Sequence, residues 1–323
     1  MSLPVNTRDD KRVDLETLAG MVRDGDCLAL GGGLTCRLPM AGVRALVRRG
    51  VRNLRVVGSA HGLDVDLLCG AGAVGATGES YVGFEVDFGM APNYRRACEE
   101  GSVAVEDSCC YTLVQQLRAT IAGLPFMPVR SVRGTDIGRL NPAFRSMTCP
   151  FTGEELTLVP ALAPDVALLH AQYADLHGNV RIEGPPVVDL LFARASHAVL
   201  VTVEKIVEND ELVALGGANV PYFYVSALSE VPFGAHPTAC YPHYAYDRPH
   251  MAQYYAAAKD GAAAFEECYL TPFVRECRDH DAYLERAGGA AMRARVAGWS
   301  ESTETWQRLY AESPAEVRAW ARA

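Results

Sequence analysis

The sequence predicts an α/β fold: an open, largely parallel or mixed sheet with helices on both faces. Three observations carry this. Short β-type apolar runs alternate with amphipathic stretches along most of the chain, as in parallel sheets built from strand–helix units. Several runs are near-continuously apolar, the mark of strands covered on both faces. Prolines and glycines punctuate the stretches between them.

In order, the strands are "CLALGG" (27–32), "LRVVG" (54–58), "SVAVE" (102–106), "PFMPV" (125–129), "DVALLHAQ" (165–172) and "HAVLVTVE" (197–204), all read as buried. The first helix is "MAGVRALVRR", with Pro39 at its first position and Gly50 just past its last. Asp64 caps the next, "VDLLCGAG"; Ser108 caps "CCYTLVQQLRATIAG"; and "PVVDLLFARAS" starts on Pro186. Between "VALLHAQYA" and "VRIEG", the turn residues "DLHGN" predict a hairpin, which would make the sheet mixed. After residue 232 the chain crosses in "PFGAHPTACYPHYAYDRPH", rich in proline and aromatics, and then reads as helices such as "MAQYYAAAKDGAAAFEECYLTPFVRECRDHDAYLERA". The expected division is an α/β domain over 1–235 and a helical extension over 236–323, packed on that domain or on a partner.

Of 323 residues, 49 % are apolar and 21 % charged, an ordinary globular balance. A net charge of −9 argues against a nucleic-acid or anionic-membrane surface. The opening "MSLPVNTRDDKRVDLETLAG" is polar where a signal peptide would be apolar, and no run approaches the length of a membrane span, so a cytoplasmic protein is expected. The ten cysteines form no C-x-x-C pair, and Cys109 and Cys110 are adjacent. They read as small apolar fillers in a reducing compartment.

The glycines of "GDCLALGGGLTCRLPMAGV" fit neither phosphate motif. From Gly31 and Gly33 the third position of G-x-G-x-x-G falls on Cys36, and no G-K-[ST] follows. Gly31, Gly32 and Gly33 therefore either let a ligand approach the backbone ahead of a helix N-terminus or form a strand-to-helix turn packed on its own neighbours. Next, "RVVGSAHGLDVDLLCGAG" places Ser59, His61 and Asp64 at the carboxyl end of a strand, where open α/β sheets bind ligands. No G-x-S-x-G elbow surrounds Ser59, so a hydrolase triad is not indicated. In "GESYVGFEVDFGMAPNYRRACEEGSVAVEDS" the polar residues Glu85, Arg95, Arg96, Glu106 and Asp107 stand out. Either arginine is a candidate clamp for a carboxylate or phosphate, against the alternative of a solvated ion-paired helix face. His236, His243 and His250 recur every seven residues, but Pro237, Pro242 and Pro249 break any helix that would align them, and no metal site is assigned.

Together these stretches resemble the first (alpha) subunit of two-subunit family I coenzyme A transferases, closest to the glutaconate type, whose open sheet is of the CoA-transferase/NagB-RpiA-like kind. The resemblance runs through "RDGDCLALGGGLTCRLPMAGVRALVRRG", "GAGAVGATGESYVGFEVDFGMAPNYRRACEEGSVAVED", "GLPFMPVRSVRGTDI", "HAQYADLHGNVRIEG", "VLVTVEKIVEND" and "PFGAHPTACYPHYAYD", in that order.

The resemblance implies a second, similarly folded subunit, in a heterodimer or an α2β2 assembly, with the active site between the two and the glycine loop lining it. It implies acyl-CoA and carboxylate substrates, coenzyme A as substrate, and no tightly bound cofactor. The chemistry it implies is attack of a glutamate on the thioester, giving an acyl-glutamyl anhydride and then a glutamyl-CoA thioester. That glutamate belongs to the second subunit. Ser229-Glu230 and Glu208-Asn209 carry fragments of its Ser-Glu-Asn motif and are read as decoys. This chain alone is then inactive, with Ser59, Glu85 and Glu106 as candidates for substrate contact.

Two alternatives stand beside it. Some relatives resemble CoA-thioester hydrolases that open a ring in steroid catabolism, with acidic residues of the first subunit implicated. Glu106 and Asp107 fall in the comparable region, although "VED" looks more transferase-like. The other is a non-catalytic ligand-binding protein on the same sheet, since fold alone does not fix function.

Overall fold

The structure, a computed structural model, describes residues 10–297. In chain order its strands are β1 (Cys27–Leu30), β2 (Leu54–Gly58), β3 (Val74–Glu79), β4 (Ala104–Val105), β5 (Phe126–Val129), β6 (Arg145–Thr148), β7 (Glu155–Pro160), β8 (Val166–Ala174), β9 (Val180–Arg181), β10 (Ala198–Ile206) and β11 (Ala227–Glu230). The main sheet has the order β11-β10-β8-β1-β2-β3-β4, and each neighbouring pair is parallel. Strand β9 folds back antiparallel on β8, with Tyr173 opposite Arg181, so the expected hairpin is present and the sheet is mixed.

Alternation along the central strands explains the near-continuous apolar runs. Leu28 and Leu30 face one hydrophobic cluster, while Cys27 and Ala29 face the other. Helices Met40–Arg49 and Leu63–Gly70 cover the first face; Cys110–Ile121 and Asp189–Ala195 cover the second. Among the C-terminal helices, Arg248–Lys259 and His280–Arg286 place Tyr254 and Tyr283 in the same cluster as Leu28 and Val56. Expected helix between them includes a ten-residue π-helical segment, Glu266–Arg275, around Pro272. Residues 1–9 of the polar N-terminal stretch and 298–323 of the expected helical extension lie outside the described residues.

Helix Met40–Arg49 ends as expected, with Gly50 at φ 74° donating to the carbonyls of Leu46 and Val47. Its N-cap is Pro39, one position earlier than expected. The other caps differ as well. Gly62, not Asp64, caps Leu63–Gly70, because Asp64 turns back to accept from the Gly62 and Val65 amides at 3.2 and 2.9 Å. Cys109, not Ser108, caps Cys110–Ile121, with Thr112 Oγ1 accepting from the Cys109 amide in return. The helix expected from Pro186 begins at Asp189.

"PFMPV" is not a buried strand of the main sheet. It forms β5 of a separate antiparallel sheet, ordered β5-β7-β6, with Phe126 40 % exposed. "SVAVE" shrinks to the two exposed residues of edge strand β4.

Candidate active site

The carboxyl ends of β1, β2 and β3 are tied into one backbone unit. The Leu34 amide donates to the Ala60 carbonyl at 2.9 Å, the His61 amide to Tyr81 at 3.0 Å, and the Gly83 amide to His61 at 3.0 Å. The segment after β11 joins them, with the Arg37 amide donating to Ala239 at 2.7 Å and the Ala239 amide to Thr35 at 2.8 Å. Four loops therefore meet where parallel sheets place their ligands.

Within this unit Gly31 and Gly32 pack on a buried ion pair. Arg37 Nη1 lies 3.1 Å from Asp189 Oδ1, and both residues are within 1 % of complete burial. The Gly32 amide donates to both Asp189 oxygens at 3.2 Å. A Cβ on Gly31 would sit 2.7 Å from Asp189 Oδ1, and Gly32, at φ 75°, leaves none of the room a side chain would need against the Arg37 carbonyl. These two glycines thus serve internal close packing. Gly33 faces outward to Val187, which is 51 % exposed.

Ser59 and Glu106 share one side of the sheet. Arg55 reaches Glu106 with Nε at 2.8 Å and Nη2 at 2.5 Å, and Arg55, Val57 and Ser59 follow the alternation of β2. Glu106 is anchored in turn by its amide on the Thr77 carbonyl at 2.8 Å. The side-chain pair is about one-third exposed. A strand-mounted cation, a carboxylate and a hydroxyl at the carboxyl end can orient a polar acyl group.

A model of the family described as coenzyme A transferase matches residues 14–230. The chain is 32 % identical to the first of the two subunits of glutaconate CoA-transferase from Acidaminococcus fermentans, over 86 % of this chain and 91 % of its relative. The crystal structure of that organism's glutaconate coenzyme A-transferase superposes with a TM-score of 0.83 at 31 % identity, over 89 % of this chain and 95 % of its counterpart. The chain belongs to the coenzyme A transferase family. It is also 36 % identical to the cholesterol ring-cleaving hydrolase IpdA subunit of Rhodococcus jostii, over 82 % of this chain and 93 % of that one. An uncharacterised protein of Archaeoglobus fulgidus is 34 % identical over 85 % of this chain, which spans 61 % of that protein's length.

In this transferase-family chain the remaining expected residues are spread more widely. Glu85 stands exposed on the loop after β3, at φ 52°, a left-handed conformation uncommon outside glycine and asparagine. Arg95 pairs along its own helix with Glu99 at 2.7 Å, both exposed. Arg96 bonds Asn93 and, at 3.3 Å, the Ala258 carbonyl of the C-terminal helices. The solvated, ion-paired helix face therefore describes Arg95.

The sequence reading missed Glu79, at the end of β3. Its carboxylate is buried against the Cα of Gly58 beside His61, and neither oxygen has a hydrogen-bond partner among the described residues. Burial lifts its pKa to about 7, against the pull of His61 and with Asp64 adding to the rise. His61 is bound to Asp64 at 2.6 Å. Burial works against its charged form, but the Asp64 and Glu79 carboxylates outweigh that and raise it to about 9.

The decoys have structural duties. Glu230 Oε1 accepts from the Ile206 amide at 3.0 Å, and Asn209 Nδ2 donates to Asp175 at 3.0 Å. Of the three periodic histidines, His236 joins Asp247 and Tyr283, His250 joins Tyr269, and His243 lies apart against the Tyr173 ring. Elsewhere His170, Glu204 and Cys240 converge within 4.8 Å. Glu204 already accepts from Tyr244 Oη at 2.5 Å and from the Phe233 and Gly234 amides at 2.7 and 3.1 Å, so a metal ion would have to displace donors in place. Among the described residues no helix is long and apolar enough to cross a membrane.

Proposed function

We propose that this chain is the first subunit of a two-subunit CoA-transferase, moving CoA from an acyl-CoA thioester to a carboxylic acid. The observation that carries this is the match to the first subunit of glutaconate CoA-transferase over nearly the whole of both chains. Its site loops agree with the role: Gly33 and Ser59 border the unit at the carboxyl ends, and Glu85 projects from it.

Neither carboxylate at this chain's site is poised as a nucleophile. Glu106 is held by two hydrogen bonds to Arg55, and Glu79 is buried. In this reading the thioester carbonyl is attacked by a glutamate of the second subunit, and the CoA thiolate leaves as the acyl-glutamyl anhydride forms. The thiolate then attacks the glutamyl carbonyl, releasing the acyl group as its acid and leaving glutamyl-CoA. The acceptor carboxylate takes CoA through a second anhydride, and the glutamate is regenerated. The contribution of this chain is to orient the acyl group and exclude water. Coenzyme A is a substrate here, with no tightly bound cofactor, and the assembly is a cytoplasmic heterodimer or α2β2.

The test is purification from the native cells with any second chain that accompanies it, followed by thioester exchange with an added carboxylate. Transfer by the pair supports the reading; a pair that moves no CoA overturns it. Hydrolysis is the second reading, favoured by the position of Glu106 and by the similarity to the ring-cleaving hydrolase subunit. Free CoA released without any acceptor acid would establish it instead.

A further inference from the structure

Between the main sheet and the small antiparallel sheet lies a cavity of about 150 Å³. Val57, Leu113 and Leu162 supply apolar wall, and Arg55, Glu106 and Gln116 supply polar groups. Gly78 lies opposite Val57 in the sheet, and a Cβ there would meet Glu106 Oε2 at 3.5 Å, so glycine leaves this face of β3 bare beside the carboxylate.

Arg55 has capacity to spare. A guanidinium carries five N–H donors. Nε and one Nη2 hydrogen serve Glu106, and one Nη1 hydrogen serves Cys27 Sγ at 3.2 Å. Two N–H groups are left, on a cation fixed to a central strand. Glu106 and Cys27 hold the side chain in place, and the Glu106 carboxylate, its first cause, raises the Arg55 pKa further above its usual value, so the charge is permanent.

We propose that this cavity receives the acid portion of the substrate, a short apolar chain ending in a carboxylate that accepts from Arg55. The size follows from general experience: an apolar cavity of about 150 Å³ holds a benzene-sized molecule, or about six non-hydrogen atoms. The walls suit a methylene or alkenyl stem, and the polar end suits an anion shared between Arg55 and Gln116. Arg55 is thus the specificity-determining residue, in place of Arg95 and Arg96, which the fold engages elsewhere. This rests on the acyl-transfer reading of the site.

The test uses the complex with its native second subunit. For Arg55→Gln, kcat/KM is compared between an acyl-CoA bearing a distal carboxylate and its methyl-ended isostere. Loss of a charged hydrogen-bonded partner lowers the first by roughly ten- to a hundredfold, and the second stays within about threefold. Arg55→Lys keeps the charge without the planar fork and serves if the glutamine variant does not fold. Ala161→Leu, at an exposed lining position, is expected to lower turnover of both substrates by narrowing the cavity. In parallel, millimolar glutarate should raise the melting temperature of the wild-type complex and not of the Arg55 variants. Equal losses on both substrates, or a glutarate shift that survives in the variants, overturn the proposal. A wild-type complex without transfer activity that still shows the Arg55-dependent shift would overturn the transferase reading and leave the pocket standing.

Discussion

Arg37 and Asp189, both buried, meet at 3.1 Å beneath the glycine loop, and the Gly32 amide closes on the same carboxylate. The pair joins the loop after β1 to the helix that begins at Asp189, and it gives Gly31 and Gly32 a structural purpose. Removing one partner of such a pair leaves a buried charge alone, so Asp189→Ala should cost about 3–5 kcal/mol in denaturant unfolding. Gly32→Ala should cost at least about 1–2 kcal/mol, from its left-handed backbone alone.

The Glu79–His61–Asp64 cluster predicts a pH dependence. Glu79 titrates near 7 in the folded chain against an ordinary 4.5, so the folded state holds more protons than the unfolded one between those values. Stability falls as pH rises through that window. His61, lifted from 6.5 to about 9, acts in the same direction: its contribution is complete below about 6.5 and is lost as pH rises through 9. Glu79→Gln should flatten the fall between about pH 4.5 and 7, read by urea midpoints across pH, and should leave the variant more stable than wild type at pH 8.

Tyr254 ties the C-terminal helices to the sheet domain. Its hydroxyl donates to Asp66 at 2.6 Å, where Asn93 Nδ2 and the Tyr94 amide also donate, at 3.0 and 2.8 Å. Burial raises the Asp66 pKa to about 6, and these donors restrain the rise. Tyr254→Phe should cost about 1.5–3 kcal/mol near neutral pH, by equilibrium unfolding, and raise the pKa of Asp66 further.

Arg95→Ala should change stability by no more than about 0.5 kcal/mol, since its exposed pairing with Glu99 is of the i,i+4 kind. Its kcat/KM for a substrate with a distal carboxylate should match wild type. A loss confined to that substrate would return Arg95 to the role proposed for Arg55.

Much of the fold was legible because local signals agreed with tertiary packing. Pro39 and Gly50 bracket helix 40–49 closely, and both-face burial of β1, β8 and β10 is written in their unbroken apolar runs. Strand β3 was invisible because "VGATGE" carries two glycines and an acid where a strand pattern wants branched side chains. "PFMPV" misled because an apolar run does not say which sheet it joins. At the site, the glycine loop and Ser59 stood out by position. Arg55 did not: in "NLRVVG" it is one charge in a strand, and its meaning lies in Glu106, 51 positions along the chain. Asp189 escaped notice for the same reason, inside an ordinary amphipathic helix. A lone acid closing a glycine-rich strand was the one signal that could have pointed to Glu79.

The most direct test of the central claim is a thioester-transfer assay on the purified chain alone and on the chain with its native second subunit, following both the new acyl-CoA and free thiol. The account predicts no turnover by the chain alone. With the pair, it predicts CoA on the added carboxylate without accumulation of free thiol. Turnover by the isolated chain, or thiol release by the pair without an acceptor, would contradict it.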